Sequence, residues 1–150
     1  MAAFFFDSSA LAKRYIAETG TAWVQSITAS NRIFVARITL VEIVSAITRR
    51  GRNGDLTPHE MAQALADVRA DFKTLYEVIA INSRLIRQAE QAAEKHALRA
   101  YDAVQFAAAQ QVNMAYIAQG LPSVTFVSAD HKLNAAALTE GLAVDDPNLH

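Results

Sequence analysis

Four acidic residues stand in stretches otherwise built from apolar side chains. Asp7 ends the run Ala-Ala-Phe-Phe-Phe, and Glu42 interrupts Ile38-Thr-Leu-Val-Glu-Ile-Val-Ser-Ala-Ile47. Asp102 lies in Tyr-Asp-Ala-Val-Gln-Phe-Ala-Ala-Ala, and Asp130 follows Val124-Thr-Phe-Val-Ser-Ala. Burying a carboxylate without a partner costs several kcal/mol, so each position needs a reason. Taken singly, the reasons are ordinary. Asp7 and Asp130 suit the N-caps of helices that follow them, Glu42 has Arg37 and Arg49 in range as ion-pair partners, and Asp102 suits the positive end of its own helix. Taken together, they suggest a centre. Two unit charges about 5 Å apart repel by roughly 3 kcal/mol at an effective dielectric near 20, so four gathered carboxylates require cations. Cysteine is absent and the histidines (His59, His96, His131, His150) are scattered without ligand spacing. An all-oxygen donor set favours Mg²⁺ or Mn²⁺ over zinc. Such an ion serves phosphate-bearing substrates, stabilising charge on phosphoryl oxygens and acidifying an attacking water.

The elements that would position these acids alternate along the chain. Ala3–Phe6, Ile33–Ala36, Tyr76–Ala80 and Val124–Val127 are short, apolar and rich in β-branched or aromatic residues, as strands buried on both faces are. Leu142–Val144 is a weaker fifth. Between them, Ser8–Ala17, Trp23–Ala29, Thr39–Arg50, Asn82–Ala97, Tyr101–Gln119 and Lys132–Glu140 read as helices. A further helix starts at Thr57-Pro58-His59-Glu60, with Thr57 as N-cap, proline at the first position and Glu60 closing a capping box. Strands alternating with helices predict an α/β fold with a mostly parallel sheet covered on both faces. Ligands in such sheets bind beyond the strand carboxyl ends, where Asp7 and Asp130 fall.

Composition narrows the classes. The chain has 150 residues, 52% hydrophobic and 19% charged, enough for one domain over 1–150 with a core and too apolar for intrinsic disorder. A formal charge of −1 argues against binding nucleic acid by bulk charge. Without the four acids, however, eleven acids face fourteen bases, leaving a mildly basic +3 elsewhere. The absence of cysteine removes disulfide scaffolds and thiolate chemistry and fits a reducing compartment. The most apolar stretch, Ala103–Ala118, is broken by Gln105, Gln110, Gln111 and Asn113, so no membrane span is expected. The N-terminus lacks a basic leader before Asp7, and a cytoplasmic location is expected. Asp67, Asp71, Glu77, Glu90 and Glu94 read as solvated acids among polar neighbours, and Asp55, Asp145 and Asp146 as loop or tail acids.

Several blocks together resemble the PIN-domain ribonucleases. Asp7-Ser-Ser-Ala-Leu-Ala-Lys follows the first apolar run, and Thr39-Leu-Val-Glu-Ile comes next. Leu98-Arg-Ala-Tyr-Asp-Ala-Val-Gln-Phe-Ala-Ala-Ala follows, and Val124-Thr-Phe-Val-Ser-Ala-Asp-His-Lys-Leu-Asn-Ala-Ala-Ala closes the pattern before Glu140-Gly-Leu. Within that family the chain is most similar to VapC toxins of toxin–antitoxin pairs. The resemblance implies a three-layer α/β/α sandwich around a mostly parallel sheet of four to five strands. It implies Mg²⁺- or Mn²⁺-dependent endonucleolytic hydrolysis of RNA, often tRNA or ribosomal RNA, restrained by a VapB-like antitoxin in a hetero-oligomer, with homodimerisation as a further expectation. Asp7, Glu42, Asp102 and Asp130 match the metal-binding acids. Ser9 and Ser128 fall where a hydroxyl commonly supports that centre, and Asn134 falls at a place that is acidic in some relatives.

Phosphate contacts are expected among Arg49, Arg50 and Arg52, the pair Arg84 and Arg87, and Lys95 with Arg99; any one such cluster also reads as a solvated helix face. Leu11, Tyr15, Trp23 and Val24 are candidates for receiving an antitoxin segment, with a core stripe as the competing reading. Two rivals stay open at this point. One is a catalytically silent RNA- or protein-binding module on the same fold. The other is a phosphoaspartate-type phosphatase with Asp7 as nucleophile, although the second acid that such enzymes carry two residues later is here Ser9. A dinucleotide-binding domain lacks its Gly-rich loop after the first strand.

Overall fold

The computed structural model describes residues 1–150. Five strands, β1 (Ala3–Phe6), β2 (Arg32–Ala36), β3 (Glu77–Ile79), β4 (Thr125–Val127) and β5 (Ala143–Asp145), form one sheet of order β3-β2-β1-β4-β5. Every pairing is parallel. Side chains alternate across the pleat, and both faces are used. Phe5, Phe34, Ala36 and Phe126 pack on one side against α5 (Ser83–His96), α6 (Ala100–Ala118) and α7 (His131–Thr139). Phe6, Ile33, Val35 and Val127 pack on the other against α1 (Ser8–Leu11), α2 (Thr21–Ser30), α3 (Thr39–Arg52) and α4 (Pro58–Thr74). The expected α/β/α sandwich is thus present, with β1 central. The order reverses between β1 and β4, which places a topological switch point between the strand ends carrying Asp7 and Asp130.

Helix starts follow the sequence signals. Thr57 Oγ1 accepts from the Glu60 amide at 3.1 Å, and Glu60 returns a carboxylate oxygen to the Thr57 amide at 3.1 Å. Thr57→Ala removes one half of this reciprocal cap and is expected to cost about 1 kcal/mol in urea unfolding. The first helix is shorter than expected: it tightens into a 3₁₀ turn over Ala12–Arg14 instead of running to Ala17. There the Lys13 ammonium turns inward, donating to the Thr19 carbonyl at 2.9 Å beside Glu18 at 3.3 Å. Gly20, at φ +87°, then turns the chain into α2. A Cβ at Gly20 would lie 2.2 Å from the Pro147 carbonyl oxygen, so only glycine fits this crossing.

Two acids read as solvated are not. Asp71 accepts from Arg14 Nε at 3.0 Å and from the Tyr15 hydroxyl at 2.7 Å, in a half-buried network that also holds Tyr76. Asp146 is buried and caps the closing turn by accepting from the Asn148 amide at 2.8 Å. Leu11 and Val24 are fully buried in the sheet's second core, so these two do not present an exposed docking face. Their spacing reflects the core stripe. Of their expected companions, Tyr15 is committed to the Asp71 network, and Trp23 stacks on His150 at 4.2 Å between ring centroids. No helix is long and apolar enough to cross a membrane.

Candidate active site

Asp7 lies at the tip of β1, 2% exposed. Its backbone is extended and its side chain caps α1, accepting from the Ala10 amide at 2.9 Å. Two hydroxyls complete its shell: Ser9 Oγ at 2.8 Å on one oxygen and Ser128 Oγ at 2.7 Å on the other. The same serines stitch the loop after β4 to this turn, because Ser9 Oγ accepts from the Ala129 amide and Ser128 Oγ from the Asp130 amide, both at 3.0 Å. No cation pairs with Asp7. Burial drives its carboxyl up to about 6, against the opposing pull of these hydrogen bonds and with a further push from Asp102. Capping alone does not explain it, since an N-cap acid ordinarily keeps an easily ionised carboxyl.

Asp102 occupies the first turn of α6. Burial raises its pKa, and the charge of Asp130 raises it further, while Arg99 and Lys132 pull the other way. Asp130 caps α7 by accepting from the Leu133 amide at 3.0 Å. Asp102 thus feels the charge of Asp130, and Asp7 that of Asp102. Glu42 arrives from the first turn of α3 and is held on both oxygens, by Ser8 Oγ at 3.0 Å and by Gln105 Nε2 at 2.8 Å. Neither Arg37 nor Arg49 pairs with it. The adjacent serines divide the work: Ser8 orients Glu42, and Ser9 orients Asp7.

Gln105 is the residue that sequence reasoning missed. It is buried in the most apolar helix and donates to both Thr39 Oγ1 (2.7 Å) and Glu42. A carboxylate only accepts, which fixes the amide nitrogen toward Glu42 and leaves Gln105 Oε1 buried without a partner. The available signal was an amide placed one turn after Asp102, ahead of the other amides of α6. Asn134 is similar: its amide nitrogen donates to the Ser128 carbonyl at 2.8 Å, and its Oδ1 is buried and unpartnered.

The donor set suits a hard, hydrated cation. Its groups are carboxylates and hydroxyls, and one carboxylate is fully buried without a positive partner. No three acidic or histidine side chains are drawn together as a ready-made ligand cage. The four acids stand apart, so an ion among them would meet one or two directly and the others through its own waters.

The basic residues separate. Arg49 lines a cavity of about 610 Å³ that opens at Ser8, Ser9 and Glu42. Arg99 lies close enough to Asp102 to influence its charge. Arg50 is taken by Glu18 and Asp55. Arg52, Arg84 and Arg87 are exposed and do not line that cavity.

With this geometry in view, the PIN-domain family model matches residues 4–137, from the start of β1 into α7. The chain belongs to the PIN-domain family. Two curated relatives, ribonucleases VapC45 and VapC49 from two strains of Mycobacterium tuberculosis, are each 29% identical over 141 residues, covering 93% of this chain and 92% of theirs. Among solved structures, a toxin–antitoxin complex from Klebsiella pneumoniae superposes with a TM-score of 0.66 at 15% identity, covering 97% of this chain and 98% of that one. Mycobacterium tuberculosis VapC20, described as a sarcin–ricin loop cleaving toxin, gives 0.64 at 21% identity over 89% and 95%. At these identities the structures establish that the PIN fold is shared from end to end.

Proposed function

We propose that this PIN domain is a metal-dependent endoribonuclease, the toxin of a toxin–antitoxin pair, acting in the cytoplasm on tRNA or ribosomal RNA and silenced by a VapB-like antitoxin. One observation carries the reading: at the switch point of the sheet, Asp7 lies wholly buried without a cation, its pKa raised by burial and by Asp102, whose own pKa is raised by burial and by Asp130. A merely structural cap gains nothing from a carboxylate so costly to ionise. The relatives named ribonuclease and the toxin–antitoxin complex support the assignment of class.

Mg²⁺ or Mn²⁺ held by Asp7, Glu42, Asp102 and Asp130 would stabilise charge on the scissile phosphate and acidify the attacking water. The chain's own part is positioning. Ser9, Ser128 and the Ala10 amide hold the Asp7 carboxylate in one orientation, and Ser8 with Gln105 do the same for Glu42. Arg99 and Lys132 moderate the negative field at Asp102, easing approach of a polyanion. The test is incubation with total RNA in Mn²⁺ and in EDTA, followed by end analysis. Cleavage only with Mn²⁺, leaving 5′-phosphate and 3′-hydroxyl ends, is the expected outcome. No cleavage of any RNA, together with no saturable Mn²⁺ binding, favours the silent-module reading, to which the spread of the acids lends some weight.

Gln105→Leu removes the donor to Glu42 and also the orphaned carbonyl oxygen. Mn²⁺ affinity by calorimetry is expected to fall roughly 10- to 100-fold. Thermal stability should stay within a few degrees of wild type, because the lost bonds are offset by the lost unpartnered group. Unchanged Mn²⁺ affinity would remove Gln105 from the site.

A further inference from the structure

Beside the acids, one face of α3 opens into a groove whose furnishing the metal chemistry does not use. The cavity of about 610 Å³ begins at Ser8 and Glu42 and ends at Arg49, with Val41, Ser45 and Tyr101 along it. Its volume lies within the range of small-molecule sites. Glu42 and Arg49 are seven residues apart on one helix, a rise of about 10 Å. The guanidinium of Arg49 has no carboxylate partner, whereas that of the neighbouring Arg50 is bound to Glu18 and Asp55. Tyr101 is 59% exposed and Val41 68% exposed. The Tyr101 ring packs on no other aromatic ring, and its hydroxyl bonds to nothing. Folding gives no reason for a large free aromatic at this place, immediately before Asp102.

We infer that this groove seats the single-stranded RNA flanking the cleaved bond, with Tyr101 as a stacking platform for one base and Arg49 as the contact for a phosphate beyond the scissile one. The inference rests on the ribonuclease reading. Three features favour a nucleic-acid strand as occupant. The groove is continuous with the acids, so a chain cut there has to leave along some such path. A free planar ring is what single-stranded bases stack on, whatever their sequence. A lone unpaired guanidinium, set off from the acids by two helical turns, complements a backbone that repeats its negative charge. The serines and the apolar floor give few directional bonds to bases, so the groove discriminates weakly among sequences and more strongly between single-stranded and duplex RNA.

The test uses Asp102→Asn as the parent, so that RNA binds without being cut, and a fluorescein-labelled single-stranded oligo(A) 12-mer in Mn²⁺, read by anisotropy. Adding Tyr101→Ala is expected to weaken binding about 5- to 100-fold, and Tyr101→Phe to retain it. Adding Arg49→Gln should weaken binding and flatten the dependence of log K on log salt by about 0.7, the loss of one phosphate contact on a single strand. Arg69→Gln, on the exposed face of α4, removes the same charge elsewhere and should leave both affinity and slope in place. If the parent binds but neither Tyr101→Ala nor Arg49→Gln alters affinity or slope, the inference is overturned, the groove falls to a protein segment, and the nuclease reading stands. If neither wild type nor parent binds any RNA, both fall.

Discussion

Asp102→Asn protein is expected to cleave RNA at roughly one-hundredth to one-thousandth of the wild-type rate while melting at or above the wild-type temperature in metal-free buffer. The substitution is nearly isosteric and sits in the first turn of α6, where Asp102 makes no side-chain hydrogen bond that the fold requires. What it removes is a charge that raises the Asp7 carboxyl and is itself opposed by Asp130. Repulsion is relieved, so the empty protein is not weakened. Activity is lost for the same reason, because the substitution takes away one carboxylate from the set that would hold the cation, and with it the stabilisation of charge at the phosphate. Electrostatic groups aimed at developing charge are individually worth about a hundred- to a thousandfold. Cleavage rates with Mn²⁺ and melting curves in EDTA measure the two halves separately. A rate near wild type would remove Asp102 from the centre, and a sharp drop in melting temperature would recast it as a structural residue.

The second large effect is on stability against pH. In the folded protein the Asp7 carboxyl titrates at about 6, above its ordinary 3.8, chiefly because it is buried. Between those values the native state keeps a proton that the unfolded chain has released, so unfolding free energy falls as pH rises. The contribution is fully present below about pH 4 and is lost once pH has risen through about 6. At 1.36 kcal/mol per pH unit the whole effect amounts to roughly 3 kcal/mol. Urea unfolding in EDTA at several pH values should show that decline in wild type and a flatter profile in Asp7→Asn. Mn²⁺ should restore wild-type stability above neutrality, because a ligand of the native state alone stabilises it by mass action. It should do so weakly in Asp7→Asn. Parallel pH profiles for the two proteins would show that Asp7 does not carry this burden.

Much of this was legible from residue order. An acid closing a run of phenylalanines marks a strand tip, and Thr57-Pro58-His59-Glu60 marks a helix start, because both signals are local and their physics is complete within a few residues. All five strands and the paired-face packing follow from such signals. What escaped was long-range. Gln105 meets Glu42 across 63 residues, and nothing near either residue announces the other. Leu11 and Val24 could equally face solvent or core until the sheet's second face was in place. Lys13 turns inward only because the carbonyl of Thr19 and the carboxylate of Glu18 come back to meet it. The groove at Tyr101 belongs to the same class, formed by α3 against residues from two other helices.

The stitching of Ser9 and Ser128 around Asp7 joins parts of the chain separated by about 120 positions. During synthesis the segment carrying Asp7 leaves the ribosome first, and for most of translation its carboxylate has neither Ser128 nor Asp102 and Asp130 beside it. The acidic site closes only when the fourth strand slides in beside the first. Under the proposed ribonuclease function, a growing chain, or one abandoned before its last fifth, lacks a complete centre and leaves the RNA around it intact.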